Sequence, residues 1–282
     1  MGALSAQDLR RMQRLVQEVW AERGTKSAHH IGDLAWQRFQ HIVHEDGWRK
    51  QLWEDGGDVV AYGWLLEDGV LDFCIHPRRP ELLDEVLDWA DARETSALDA
   101  DADAAAAFER HGYRRAADDE PFFVHLARDL GDVPAVDEPE GTTLRTVGED
   151  DVEERVAAHR SAFHPSRVMV ASYRNVMRAW PYRGDLDCVA VTADGRVAAY
   201  CLAWLDEENR VGELEPSARM PTSAAAASRG RSLRSRCAAC KRPAPSSRWS
   251  THAVTPHTRL PSSCTSRSAS ARTPGRSPSG VT

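Results

Sequence analysis

The sequence predicts an α/β fold made of one unit repeated in tandem. Three observations carry this. Segments with apolar residues at helical spacing alternate with short runs of β-branched and aromatic residues closed by glycine turns. The same order of segments begins again after GDVPAVDEPEG, a Pro- and acid-rich stretch without periodicity that reads as a linker. At Ser217 the repeat breaks off: residues 217–282 hold 12 of the 36 Lys and Arg and none of the 43 Asp and Glu, so body and tail are different polymers.

The first helix, AQDLRRMQRLVQEVWAE, places Leu9, Met12, Leu15, Val16 and Val19 on one face. A second helix follows in IGDLAWQRFQHIVH. Three strands then run through WRKQLWEDGGDVVAYGWLLEDGVLDFCIHP, turned at Asp55-Gly56-Gly57 and Asp68-Gly69. PELLDEVLDWADA reads as a helix with Pro80 near its first turn and Leu82, Leu83, Val86, Leu87 and Trp89 inward. A strand near Ser96–Leu98, the helix AAAAFERHG and a strand in PFFVHLARDL complete the copy. The second copy gives a strand in TTLRTVG, a helix in EDDVEERVAAHRSAFH with acid in its first turn, and a helix in SYRNVMRAW. Three more strands end at Pro216, and Ala61-Tyr62 aligns with Ala199-Tyr200. The boundaries expected are a first lobe at 1–130, a linker at 131–141, half of a second lobe at 142–216 and an irregular tail at 217–282.

The composition excludes several classes. The acidic body repels phosphate, so nucleic acid is not the expected partner. No signal core and no long apolar run occurs, which points to the cytosol rather than a membrane. Cys74, Cys188 and Cys201 read as small core residues, and Cys237 and Cys240 form a C-x-x-C without a second ligand pair. His29, His30, His41 and His44 make no metal face with a carboxylate, and His111 reads as structural. No metal is expected.

The break at Ser217 suggests a change of reading frame. If each codon takes the third base of one residue and the first two of the next, residues 216–231 permit VGTHADFRRRGLSRAV. In the same frame residues 236–271 permit a strand, a loop and a helix ending in LYESLGF. AFERHGYR, residues 107–114, holds the equivalent place in the first copy.

The order strand, two helices, three antiparallel strands, helix, strand, helix, strand resembles the GNAT superfamily of acyl-CoA-dependent N-acyltransferases. The layout is similar to the tandem, two-lobed members of the mycothiol synthase and aminoglycoside types. That resemblance implies two GNAT-like lobes, each a mixed, mostly antiparallel sheet with flanking helices, with the second lobe truncated. The family's most specific motif, R-x-x-G-x-G/A, holds the cofactor pyrophosphate on backbone N–H groups at a helix N-terminus. The restored FRRRGLSRA fits it with the last small residue one place late. The restored LYESLGF fits the closing helix, whose tyrosine often protonates the thiolate leaving group.

The resemblance further implies acetyl-CoA as acyl donor and a primary amine, of a small molecule or a protein, as acceptor. It places a general base at Glu213 or Glu215 on the fourth strand of the second copy, with backbone amides there to polarise the thioester. In the first copy it places cofactor contacts at the strand end Ile75 and at Arg78 and Arg79. No glycine loop follows there, so the first lobe reads as a scaffold. Because the loop and the tyrosine are missing from the chain as it stands, transfer is expected to be impaired. The rival expectation is a non-catalytic acyl-CoA-fold protein that binds or dimerises.

Overall fold

In a computed structural model, residues 4–42, 48–116, 122–131, 133, 135, 139–220, 250–256 and 266–272 are described, the last two stretches as backbone. The helices, in chain order, are α1 (Ala6–Arg23), α2 (Ile31–Phe39), α3 (Leu82–Ala90), α4 (Ala102–Arg110), α5 (Val152–Ala162) and α6 (Val170–Arg178). The strands are β1 (Arg49–Asp55), β2 (Asp58–Leu65), β3 (Val70–Ile75), β4 (Glu94–Leu98), β5 (Arg114–Arg115), β6 (Phe123–Asp129), β7 (Thr142–Thr146), β8 (Asp187–Thr192), β9 (Val197–Asp206), β10 (Val211–Arg219), β11 (Ser250–Pro256) and β12 (Ser266–Arg272). Two compact units result. Unit 1 holds residues 1–29, 44–126 and 254–282, and unit 2 holds 30–43 and 127–253. Among the described residues no helix is long and apolar enough to cross a membrane.

In unit 1, β1, β2 and β3 form an antiparallel meander. Its first turn needs Gly56 and Gly57 at φ of 61° and 97°, a backbone region that residues with a side chain rarely adopt. α1 starts where Ser5 Oγ accepts from the Asp8 N–H at 3.0 Å, and its Met12, Leu15 and Val16 are buried. On α3, Leu82 and Val86 are buried as the periodicity predicts. Trp89 lies edge-on to Trp53 at 5.8 Å, and a Cβ on Gly63 would come within 2.8 Å of its ring, so that glycine lets helix and sheet close up. β4 joins β3 in parallel through Val70–Glu94 and Leu71–Thr95, and there the register ends. His111, after α4, bonds Asp84 of α3 at 2.8 Å, a structural role.

In unit 2, β7 to β10 form an antiparallel sheet and β11 adds to β10 in parallel. The helix expected as the second of the first lobe is found here. Ala35 of α2 shares a core with Val152 and Val156 of α5, Tyr173 and Val176 of α6, and Leu202 and Trp204 of β9. The cause is the Ile31, Gly32, Leu34, Ala35 face. Gly32 presses on Trp204 so closely that a Cβ would fall 2.1 Å from the indole. Position along the chain thus does not decide which core a helix joins: α2 follows α1 in sequence but packs in unit 2.

Of the tail from Ser217, residues 217–220, 250–256 and 266–272 are described. Ser217–Arg219 stay in β10, paired with Cys201–Ala199, and β11 and β12 follow. β12 runs antiparallel to β4 and β5. A sheet edge offers backbone N–H and C=O groups that any extended segment can satisfy, whatever its side chains. The segment of the restored FRRRGLSRA beyond Met220, the C-x-x-C at Cys237 and Cys240, and Cys264-Thr265 at the place of the tyrosine codon lie outside the described residues.

Candidate active site

The carboxylates expected to act, Glu213 and Glu215, sit on β10 where the strand is irregular. Its register with β9 shifts between Leu214 and Ser217. Such a bulge leaves a carbonyl without its ladder partner. Here Trp204 Nε1 donates to Glu215 O at 2.7 Å and fills the gap. The Glu213 side chain is 4 % exposed. Asp33, in the first turn of α2, completes a group of three carboxylates whose oxygens lie within 4.8 Å of one another.

That crowding has an electrostatic result. Burial, then the charges of Glu213 and Asp33, push the Glu215 carboxyl well above the usual carboxylate range. His30 bounds the group. Its Nδ1 accepts from the Gly32 N–H at 3.1 Å, which leaves Nε2 to donate to Val211 O at 3.3 Å. Burial pushes the imidazole below its ordinary pKa, so it stays neutral. The 3.3 Å approach of His30 Nδ1 to Glu213 Oε2 is thus a contact rather than an ion pair. A crowded, desolvated cluster of this kind attracts a cation and holds a carboxylate made more basic than usual.

Asp33 and His30 were not among the expected site residues. Their signal is local: His30-Ile31-Gly32-Asp33 is a capping box, with Asp33 Oδ2 accepting from the His30 N–H at 2.7 Å. A capping reading would have found both residues, but it would not have aimed them at β10.

Unit 1 carries a cleft of about 330 Å³. It opens where β3 and β4 part, between Phe73–Ile75 and Ser96–Leu98, with α1 and α4 closing it. Ile75 lines it; Arg78 and Arg79 do not. Arg78 pairs with Glu22 at 2.7 Å, and Arg79 with Asp55 at 2.7 Å and Glu81 at 2.5 Å, all near the surface. Cys74, deep in the wall, has its thiol pushed up to about 12 by burial and is no nucleophile. His29, at the edge, meets Asp72 at 2.6 Å. The walls mix apolar side chains such as Val16, Val19 and Leu83 with charged ones such as Arg23, Asp84 and Arg110.

Unit 2 also buries a charge. Arg155 of α5 is fully buried, 3.8 Å from Asp187 Oδ1, and stacks 3.4 Å from the centre of the Tyr200 ring. Tyr173 and Tyr182 donate to Asp187 Oδ2. His159 Nδ1 meets Tyr200 Oη at 2.8 Å, and burial followed by the Arg155 charge lowers its pKa to about 3.

No family model and no curated protein sequence matches the chain. Solved structures do. A GCN5-related N-acetyltransferase from Sphaerobacter thermophilus aligns with a TM-score of 0.58 at 17% identity, covering 97% of this chain and 96% of its own. A tandem GNAT protein from the clavulanic acid biosynthesis pathway, in a form without AcCoA, gives 0.58 at 16% identity over 98% of both chains. An acetyltransferase of the GNAT family from Colwellia psychrerythraea gives 0.52 at 9% identity, covering 96% and 98%. Identities this low speak for architecture alone, and what they show is that the chain has the α/β fold of the GNAT N-acetyltransferases.

Proposed function

We propose that the protein is built for acyl-CoA-dependent transfer of an acetyl group to a primary amine, with the carboxylate cluster of unit 2 as proton acceptor. The observation that carries this is the crowding of Glu213, Glu215 and Asp33 within 4.8 Å on a bulged strand, with Glu215 pushed upward. An ammonium drawn to the cluster gives a proton to the Glu215 carboxylate, and the freed lone pair attacks the thioester carbon. The thiolate leaves and takes up a proton. Backbone groups of β10 beyond Leu214, where its register with β11 ends, are the ones placed to orient the thioester.

The same reading makes this chain a poor catalyst. From Ser217, within β10, the chain reads SARMPTSAAAASRG, in which Pro221 lacks a backbone donor and no glycine stands before the run of alanines. Loss of two charge-assisted hydrogen bonds, at roughly 1.5–3 kcal/mol each, weakens cofactor binding about a hundredfold or more. Titration calorimetry with acetyl-CoA should detect little binding to this chain. A version with the frame shifted to give FRRRGLSRA and LYESLGF should bind and release free thiol with a suitable amine. Equal affinity of the two versions would sink this reading.

A second reading is favoured by the cleft of unit 1. There two of the acids that line it are matched by arginines, Asp84 by Arg110 at 2.9 Å and Asp101 by Arg23 at 3.1 Å. Such a cleft suits binding without proton transfer, as in a non-catalytic acyl-CoA-fold protein. Binding to both versions with no thiol release from either would select it.

A further inference from the structure

The register of unit 2 sets Cys188 of β8 directly opposite Cys201 of β9. Their neighbours Val189 and Tyr200 pack with Ala158 of α5, so the two sulfurs point to the other face of the sheet, side by side. Both are thiols and both are partly exposed, unlike the buried Cys74. Directly opposed residues of an antiparallel pair have Cα atoms about 4.5–5.5 Å apart, inside the range of about 4.4–6.8 Å that a disulfide spans.

We propose that Cys188 and Cys201 form a redox-modification site, a dithiol that closes reversibly into a cross-strand disulfide. This goes beyond the acyl-transfer reading and does not depend on it. With a peroxide as oxidant, the Cys201 thiolate attacks one oxygen, the O–O bond breaks, and a sulfenic acid and hydroxide form. The Cys188 thiolate then attacks the sulfenic sulfur and expels the second hydroxide. The two protons released by the thiols turn both hydroxides into water, so two thiols and one hydrogen peroxide give one disulfide and two waters. A dithiol reductant reverses it by exchange. Opposed positions in a hydrogen-bonded ladder leave little freedom to adjust, which makes a labile bond rather than a permanent staple.

The test uses the whole chain treated with hydrogen peroxide, alkylated, digested without reduction and mapped by mass spectrometry. The expected product is a peptide pair linked through Cys188 and Cys201, lost on treatment with dithiothreitol. It should form about tenfold faster in buffer than in urea, because the folded ladder aligns the sulfurs. Cys188→Ser should leave Cys201 to oxidise further, to the sulfinic acid. A pair that stays alkylatable, links instead to Cys237, Cys240 or Cys264, or links equally fast in urea overturns the proposal. Differential alkylation of the unmutated chain gives the same answer if a serine variant does not fold.

Discussion

In unit 1, β4 stays beside β3 for two residue pairs before the strands part, and a cleft lies between them. In unit 2, β11 stays beside β10 for the four pairs from Val211–Ser250 to Leu214–Ala253, and Glu213 and Glu215 stand at the end of that pairing with Asp33 beside them. Both units therefore carry a short parallel pair that ends. They differ in what is placed there. Asp84 and Asp101 in the cleft of unit 1 are set against arginines, and the carboxylates of unit 2 are set against each other. The architecture supplies the strand end, and a few side chains decide what chemistry can be done there.

The sharpest way to break that comparison is Glu215→Gln in the frame-restored protein. A general base is worth about 10²–10⁴-fold, so turnover should fall at least a hundredfold while acetyl-CoA affinity, read by calorimetry, changes little. The parent's rate should rise with pH through the elevated Glu215 pKa, and the variant should lose that limb. Stability gives a second check on the chain as it stands. Because the folded-state pKa is raised, the Glu215 contribution is full below the ordinary carboxylate pKa and is lost as pH rises through the raised value. Urea unfolding should thus show Glu215→Gln gaining on the parent as pH increases. A constant difference would mean that the carboxyl is not perturbed.

Next in size is the buried charge of unit 2. Removing one member of a buried ion pair strands the other, so Arg155→Leu should cost about 3 kcal/mol in urea unfolding. Asp187 would keep its bonds from Tyr173 and Tyr182, and pairing Arg155→Leu with Asp187→Leu should recover part of the loss. Additive losses would show that the two do not act together. The smallest effect belongs to unit 1. Arg78→Ala and Arg79→Ala break ion pairs at the surface and should shift stability by under about 0.5 kcal/mol. Acetyl-CoA affinity should stay within about twofold; a larger drop would return these residues to the cofactor site.

Periodicity made most of the fold legible, because α1, α3 and the hairpins of both copies bury faces that the spacing of Leu, Val and Trp announces. Glu213 and Glu215 were legible as a pair for the same reason: residues two apart on a strand share a face. Three things were not. The packing of α2 in unit 2 depends on how closely Gly32 meets Trp204, and shape complementarity leaves no mark in a periodic pattern. Arg155 looks like one more solvated charge in a helix, and its burial becomes visible only when Asp187, Tyr173 and Tyr200 surround it. Nor does charge alone reveal the ion pairs of Arg78 with Glu22 and of Arg79 with Asp55 and Glu81.

The pairing of β11 along β10 has a consequence for inheritance. Hydrogen bonds between strands are made by groups that every codon supplies, so the edge at Val211–Leu214 recognises extension and is blind to the genetic text. On the frame change proposed here, strands recruited this way would let a sheet persist through a rewriting of the message that erases a binding loop. Architecture and chemistry would then wear at different rates in one gene.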